Sequence, residues 1–188
     1  MGCFEARANM KLLFFIFCFV FMSFFMSFSR LAIAVLVTIA CLINSPINVQ
    51  ASAPLSFSHA QLKGRDFSGQ ALFGSGFANA NMEGANFENA DLRGTVFSAS
   101  ILRKANLKGA DFSGGLLDQA DFAKADLRDA LLVETILLRS TFDFVNIDGT
   151  DFTDAIMDGG QRKWLCTKAK GTNSKTGVNT RDSLECDF

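Results

Sequence analysis

Two cysteines near the carboxyl terminus are the residues best suited to chemistry in this 188-residue chain. Cys166 and Cys186 form an isolated pair, and three chemical roles are considered for it. A disulfide is the simplest one if the chain is exported. A redox-active pair would more typically be a C-x-x-C motif. A metal site would need more ligands than two sulfurs, and no His lies nearby.

Other candidates for catalysis are few. His59 is the only histidine, and it lies at a turn position, where it fits a surface residue better than a general base. Residues 171–176 end in Ser174, Lys175 and Thr176 but lack the frame of a phosphate-binding loop. A nucleophile, base and orienting group in one concave site are not apparent. We therefore expect no enzyme, no cofactor, no metal and no small-molecule substrate.

The elements that position these residues follow from a strict five-residue period over residues 55–158. Large apolar residues occupy 21 consecutive positions in one register: Phe57, Leu62, Phe67, Leu72, Phe77, Met82, Phe87, Leu92, Phe97, Leu102, Leu107, Phe112, Leu117, Phe122, Leu127, Leu132, Leu137, Phe142, Ile147, Phe152 and Met157. A small residue stands two positions before most of them, and Asp or Asn often stands between. Neither the helical period of 3.6 nor the strand period of 2 produces such spacing.

Units such as Ala90-Asp91-Leu92 and Ala125-Asp126-Leu127 give the pattern A(D/N)LXX, which resembles the pentapeptide-repeat family. This resemblance covers all of residues 55–158. It implies an all-β fold, a right-handed quadrilateral β-helix in which four pentapeptides form one coil, with about five coils. In such a fold the large and small residues point inward and fill the interior, and stacking of coils supplies the stability.

Residues 1–51 are interpreted as a targeting leader. Two apolar runs flank Arg30, and the second run with Val49-Gln50-Ala51 has the form of a secretory signal cleaved after Ala51. A retained membrane anchor is the alternative, because residues 12–43 are long enough to span a bilayer. Contact with a membrane is expected only through this leader.

Residues 159–188 depart from the repeat and are predicted to cap the last coil. Trp164 and Leu165 are expected to plug its apolar end, with a Cys166–Cys186 disulfide pinning the loop above them. The stretch from Asn173 to Cys186 also resembles the tail of lumenal pentapeptide-repeat proteins from photosynthetic membranes. That resemblance implies export to the thylakoid lumen or periplasm.

Outward positions 20 residues apart should align as ladders along the coils. One ladder, with a neighbour at its side, is apolar: Val96, Leu116, Ile136, Ile156 and Leu138. We call these five residues the apolar ladder and predict that it docks an unidentified protein partner, unless the tail folds back over it.

Three functions were compared on the sequence. A non-enzymatic structural or protein-binding module fits the regular core and the apolar ladder. A DNA-mimic regulator of topoisomerase would need a continuous acidic face. Residues 54–158 carry nine Lys and Arg against 15 Asp and Glu, which is a modest excess, and an exported protein lies away from DNA, so no nucleic acid is expected. A thiol/disulfide redox-responsive lumenal protein is the third reading.

Overall fold

The computed structural model describes residues 54–186. Along the repeat, 17 single-residue parallel bridges join positions 20 residues apart, such as Asn86 with Asn106 and Leu116 with Ile136. The chain therefore pairs with itself once every four five-residue units, and we call each such 20-residue stretch a coil. Within the described residues, pairing on each side of a coil is limited to one bridge, because turns occupy the positions between bridges.

Backbone hydrogen bonds hold successive coils together. From Phe57 to Leu137, the N–H of each large inward residue donates to a carbonyl oxygen of the next coil; Phe87 N to Asn106 O, at 2.7 Å, is an example. The second turn residue has positive φ in every unit from 55 to 158, and where it is not glycine the chain accepts a left-handed conformation. His59 is one of these residues, with φ of 62°, and it is exposed as a surface turn residue should be.

The inward positions form one continuous core. Phe87, Leu107 and Leu127 are fully buried, and the small positions between them, such as Ala110, are buried as well. Phenylalanine rings stack between coils, with the centroids of Phe67 and Phe87 separated by 4.9 Å. The prediction that the five-residue period marks the core is therefore confirmed.

Two short helices follow the repeat. Helix α1, Gly159–Cys166, begins after Asp158, whose backbone N–H donates to the Gln161 side chain at 2.7 Å. Helix α2, Thr180–Ser183, has Asn179 as its N-cap, which accepts from the Arg181 N–H at 3.0 Å. One antiparallel bridge joins Thr172 and Asn179 across the loop between the helices. A disulfide links Cys166 to Cys186.

The predicted leader, residues 1–51 with its cleavage site at Ala51, lies outside the described residues. Among residues 54–186, no helix has the length and apolar character needed to cross a bilayer. The same residues contain no cluster of His, Cys, Asp and Glu that could hold a metal ion.

Candidate functional site

The apolar ladder forms a continuous column on one side of the coils. Bridges join Val96 to Leu116, Leu116 to Ile136, and Ile136 to Ile156, so the predicted register of the column is correct. Leu116 is 42% exposed and Ile156 is 54% exposed, whereas Val96, Ile136 and Leu138 are half-buried. The column is thus partly open to solvent, and its exposure is greatest at Leu116 and at Ile156.

The tail lies on a different side of the coils. Ser174 N donates to Asp129 Oδ1 at 3.1 Å, and Thr176 Oγ1 donates to Asp151 Oδ2 at 2.8 Å. Lys175 Nζ reaches the carbonyl oxygen of Gly109, two coils below the end. Gly109 and Asp129 lie 20 residues apart and stack at one turn of successive coils, and Asp151 stacks on Leu131 in a bridge. Neither stack contains an apolar-ladder residue. The tail hydrogen bonds therefore fasten it away from the ladder.

Gly149 marks the point where the tail meets the coils. Its φ is 70°, and a Cβ placed there would lie 3.0 Å from Asp129 Oδ1 and 3.1 Å from the Thr172 carbonyl oxygen. Its N–H donates to the carbonyl oxygen of Lys170 at 3.0 Å. Only glycine combines this conformation with such a close approach of the tail.

Helix α1 lies at the end of the last coil. Leu165, which was predicted to plug this end, is fully buried. The Gln161 side chain donates to the carbonyl oxygens of Leu137 and Ser140, at 3.0 and 2.6 Å, and at Ser140 it replaces the backbone donor of a further coil. Trp164, the other residue predicted to plug this end, is 36% exposed and lines a cleft beside the coil edge.

Charged groups on the coils pair locally. Arg93 hydrogen-bonds Asp91 at 2.7 Å and holds the pKa of that carboxyl below its ordinary value. Arg128 acts on Asp126 in the same way, at 2.6 Å, and lowers the pKa of Asp126. Neutralised pairs of this kind break up the acidic surface that mimicry of a DNA backbone would require.

Two exposed aromatic residues were missed on the sequence. Phe73 is 64% exposed and lies beneath the Arg93 guanidinium, 5.8 Å from it, and Phe144 is 83% exposed. Both lie at turn positions, outside the inward register that the period marks. An aromatic residue at a turn position is the sequence signal that marks them, because turn side chains point away from the core.

Comparison with known protein families shows which family the repeat belongs to. The family pattern described as Pentapeptide repeats matches eight copies, over residues 56–89, 80–119 and 120–159. The chain belongs to the pentapeptide-repeat family. The resemblance seen in the A(D/N)LXX units is thereby confirmed over more than half of the chain.

Proteins of the Arabidopsis thaliana thylakoid lumen are among both the curated relatives and the similar solved structures. A crystal structure of one from the Arabidopsis thaliana thylakoid lumen has a TM-score of 0.67 and 38% identity, with 68% of this chain and 90% of that chain covered. Thylakoid lumenal protein TL20.3 of Arabidopsis thaliana is 55% identical over 40 residues, which are 21% of this chain and 14% of the relative. Thylakoid lumenal 15 kDa protein 1 of the same plant is 47% identical over 47 residues, which are 25% of this chain and 21% of that relative.

The matched stretches span less than a quarter of either curated relative. The solved lumenal structure is matched over nearly its whole length. Together with the repeat, this structural similarity assigns the chain to the right-handed β-helix class.

Proposed function

We propose that this chain is a non-enzymatic pentapeptide-repeat module of the thylakoid lumen that docks a protein partner through its apolar ladder. The compartment is supported by the lumenal relatives and by the Cys166–Cys186 disulfide, which suits an oxidising environment. The lack of enzymatic activity is supported by a core that side chains fill, which leaves its interior without room for a substrate.

The fold on which this proposal depends is a right-handed quadrilateral β-helix of about five coils, capped at its carboxyl end by residues 159–186. The 20-residue spacing of the bridges supports four sides per coil. Burial of Leu165 and the bonds from Gln161 to the last coil support the cap.

The observation that carries the docking proposal is the position of the tail. The tail was the competing occupant for the ladder, and its hydrogen bonds run to Asp129, Gly149 and Asp151 instead. Leu116 and Ile156 remain exposed. They lie in one column with the half-buried Ile136 between them, and exposed apolar surface of this kind is typical of protein contact sites.

The test replaces two ladder residues with aspartate, as Leu116→Asp with Ile136→Asp, and recovers partners from the lumenal fraction. The matched control is Leu131→Asp with Ile101→Asp, the same two side chains at bridge positions on other sides of the coils. We expect the wild type and the control to recover the same partner and the ladder variant to lose it. Identical recovery by all three proteins would refute the docking proposal.

A further inference from the structure

Among residues 54–186, the last coil has one side on which both edge N–H donors lack a hydrogen-bond partner. In the coil below, the N–H groups of Phe122 and Lys124 donate to the carbonyl oxygens of Thr141 and Asp143, at 2.9 and 2.7 Å. The equivalent donors one coil on are the N–H groups of Phe142 and Phe144. Within residues 54–186 neither of these two groups has a hydrogen-bond partner.

The other sides of the last coil are better satisfied. The Arg139 N–H donates to Asp158 Oδ2, the Gly149 N–H to the Lys170 carbonyl, and the Phe152 N–H to Ser183 Oγ, all at 3.0 Å. The tail therefore closes these sides at least in part and leaves the edge at residues 141–144 free. Unpaired strand-edge donors of this kind are a template for an added strand.

A cleft lies beside this edge, between the last coil and helix α1, with a volume of about 200 Å³. It is lined by Ser140, Thr141, Phe142, Asp143, Gln161 and Trp164. The carbonyl oxygen of Ser140, which would otherwise accept from an incoming chain, is already bound by Gln161. The edge therefore presents two free N–H donors, from Phe142 and Phe144, and no free carbonyl acceptor. Such an edge can bind the carbonyl groups of an extended peptide.

Phe144 distinguishes this edge from a plain surface turn. Its φ is 56°, a left-handed conformation that is costly for a large side chain, and the ring is 83% exposed. The equivalent positions in the lower coils are Gly64, Gly84, Lys104 and Lys124. Lys104 and Lys124 share the positive φ, so the feature that sets Phe144 apart is its exposed aromatic ring, and exposed apolar surface is typical of contact sites.

The charge of Asp143 determines which kind of peptide this edge would bind. Asp143 is exposed, lines the cleft and forms no salt bridge within residues 54–186. It disfavours a carboxylate at the two donors and favours a basic side chain beside them. We infer that the edge at residues 141–144 binds an extended segment of a partner protein by strand addition, with a basic residue against Asp143 and an apolar one against Phe144 and Trp164.

This site is separate from the apolar ladder and does not depend on it. The probe is the acetylated and amidated peptide Thr-Leu-Lys-Leu-Thr, with Thr-Leu-Glu-Leu-Thr as its charge-reversed partner. Each is titrated into the full chain, held in detergent micelles and labelled with ¹⁵N at phenylalanine. The variant Phe144→Gly identifies the Phe144 amide signal by its loss.

We expect the lysine peptide to shift the amide signals of Phe142 and Phe144 in a saturable manner. The glutamate peptide should bind about fivefold more weakly, as one exposed ion pair dictates. Asp143→Lys should invert this preference. Asp154→Lys, the same charge change on another side of the last coil, should leave it unchanged, as should Leu116→Asp with Ile136→Asp.

The variant Phe144→Gly tests the aromatic contact without damage to the fold, because glycine relieves the left-handed strain. Its thermal midpoint should match the wild type or exceed it, while its affinity for the lysine peptide falls. The inference is overturned if neither amide signal moves at millimolar peptide, or if Asp143→Lys keeps the original preference. A shift that depends on protein concentration alone would assign the edge to a second copy of the chain and would also overturn it.

Discussion

The side-chain amide of Asn173 donates a hydrogen bond of 2.8 Å to the carbonyl oxygen of Gly149. Asn173 is 1% exposed, and its Oδ1 accepts from the N–H groups of Lys175 and Thr176 at 2.9 and 3.1 Å. One buried amide therefore donates to a carbonyl oxygen of the last coil and also accepts two N–H groups of the tail loop. The tail depends on this residue for its position beside the coils.

Substitution Asn173→Ala should lower the free energy of unfolding by about 2–3 kcal/mol, because it leaves the Gly149 carbonyl and two loop N–H groups without their partner. Asn81→Ala is the control, since the half-buried Asn81 side chain accepts a single bond, from Glu83 N at 3.3 Å. It should cost less than about 1 kcal/mol. Chemical denaturation measures both, and equal losses would contradict the role assigned to Asn173.

Removal of the disulfide should loosen the tail and leave the coils intact. Cys166 and Cys186 are 20 residues apart, and closing a loop of that length contributes about 3 kcal/mol on the chain-entropy account. In Cys166→Ser with Cys186→Ser, amide exchange should accelerate in residues 171–186 and stay slow in residues 80–130. Uniform acceleration through the coils would show that the tail and the repeat unfold as one unit.

The inward residues could be predicted from sequence because side-chain size alone encodes them. A run such as Phe87, Leu92, Phe97 fixes the period, and the period fixes which side chains face the core. The register of the apolar ladder could be predicted from the same period, because four five-residue units make one coil and Leu116 and Ile136 are 20 residues apart.

The tail could not be predicted in this way, since it has no repeat that assigns a side to each residue. Trp164 and Leu165 are neighbours in an apolar pair, and helix α1 buries one and exposes the other. The open edge at Phe142 and Phe144 depends on which sides of the last coil the tail covers. That choice is made by contacts between distant residues, such as Asn173 with Gly149, which no local pattern reveals.

The stacked phenylalanines should dominate the stability of the core. Phe87 is fully buried, stacks on Phe67 at 4.9 Å and meets Phe77 edge-on at 5.9 Å. Phe87→Ala should cost about 3–5 kcal/mol, since it removes the ring and leaves a cavity. Phe73→Ala makes the same change at a side chain that is 64% exposed, and it should cost less than about 1 kcal/mol. Comparable losses in the two variants would contradict the packing of the core.

Stability should decline in acid, and the paired carboxylates contribute to this. Hydrogen bonds from Arg93 and Arg128 lower the pKa of Asp91 and Asp126 in the folded chain. A carboxyl with a lowered folded pKa binds protons more weakly when folded than when unfolded. Its contribution is therefore complete above the ordinary Asp value of about 4 and disappears as the pH falls through the lower folded value.

Denaturation midpoints at pH 7, 5 and 3 measure the effect. Asp126→Asn should reduce the loss between pH 5 and pH 3 by about 0.5 kcal/mol, a small figure because the pair is partly exposed to solvent. Asp154→Asn is the control, because Asp154 is exposed and forms no salt bridge within residues 54–186. If Asp154→Asn flattened the acid profile as much as Asp126→Asn, the ion pair with Arg128 would not be the source of the effect.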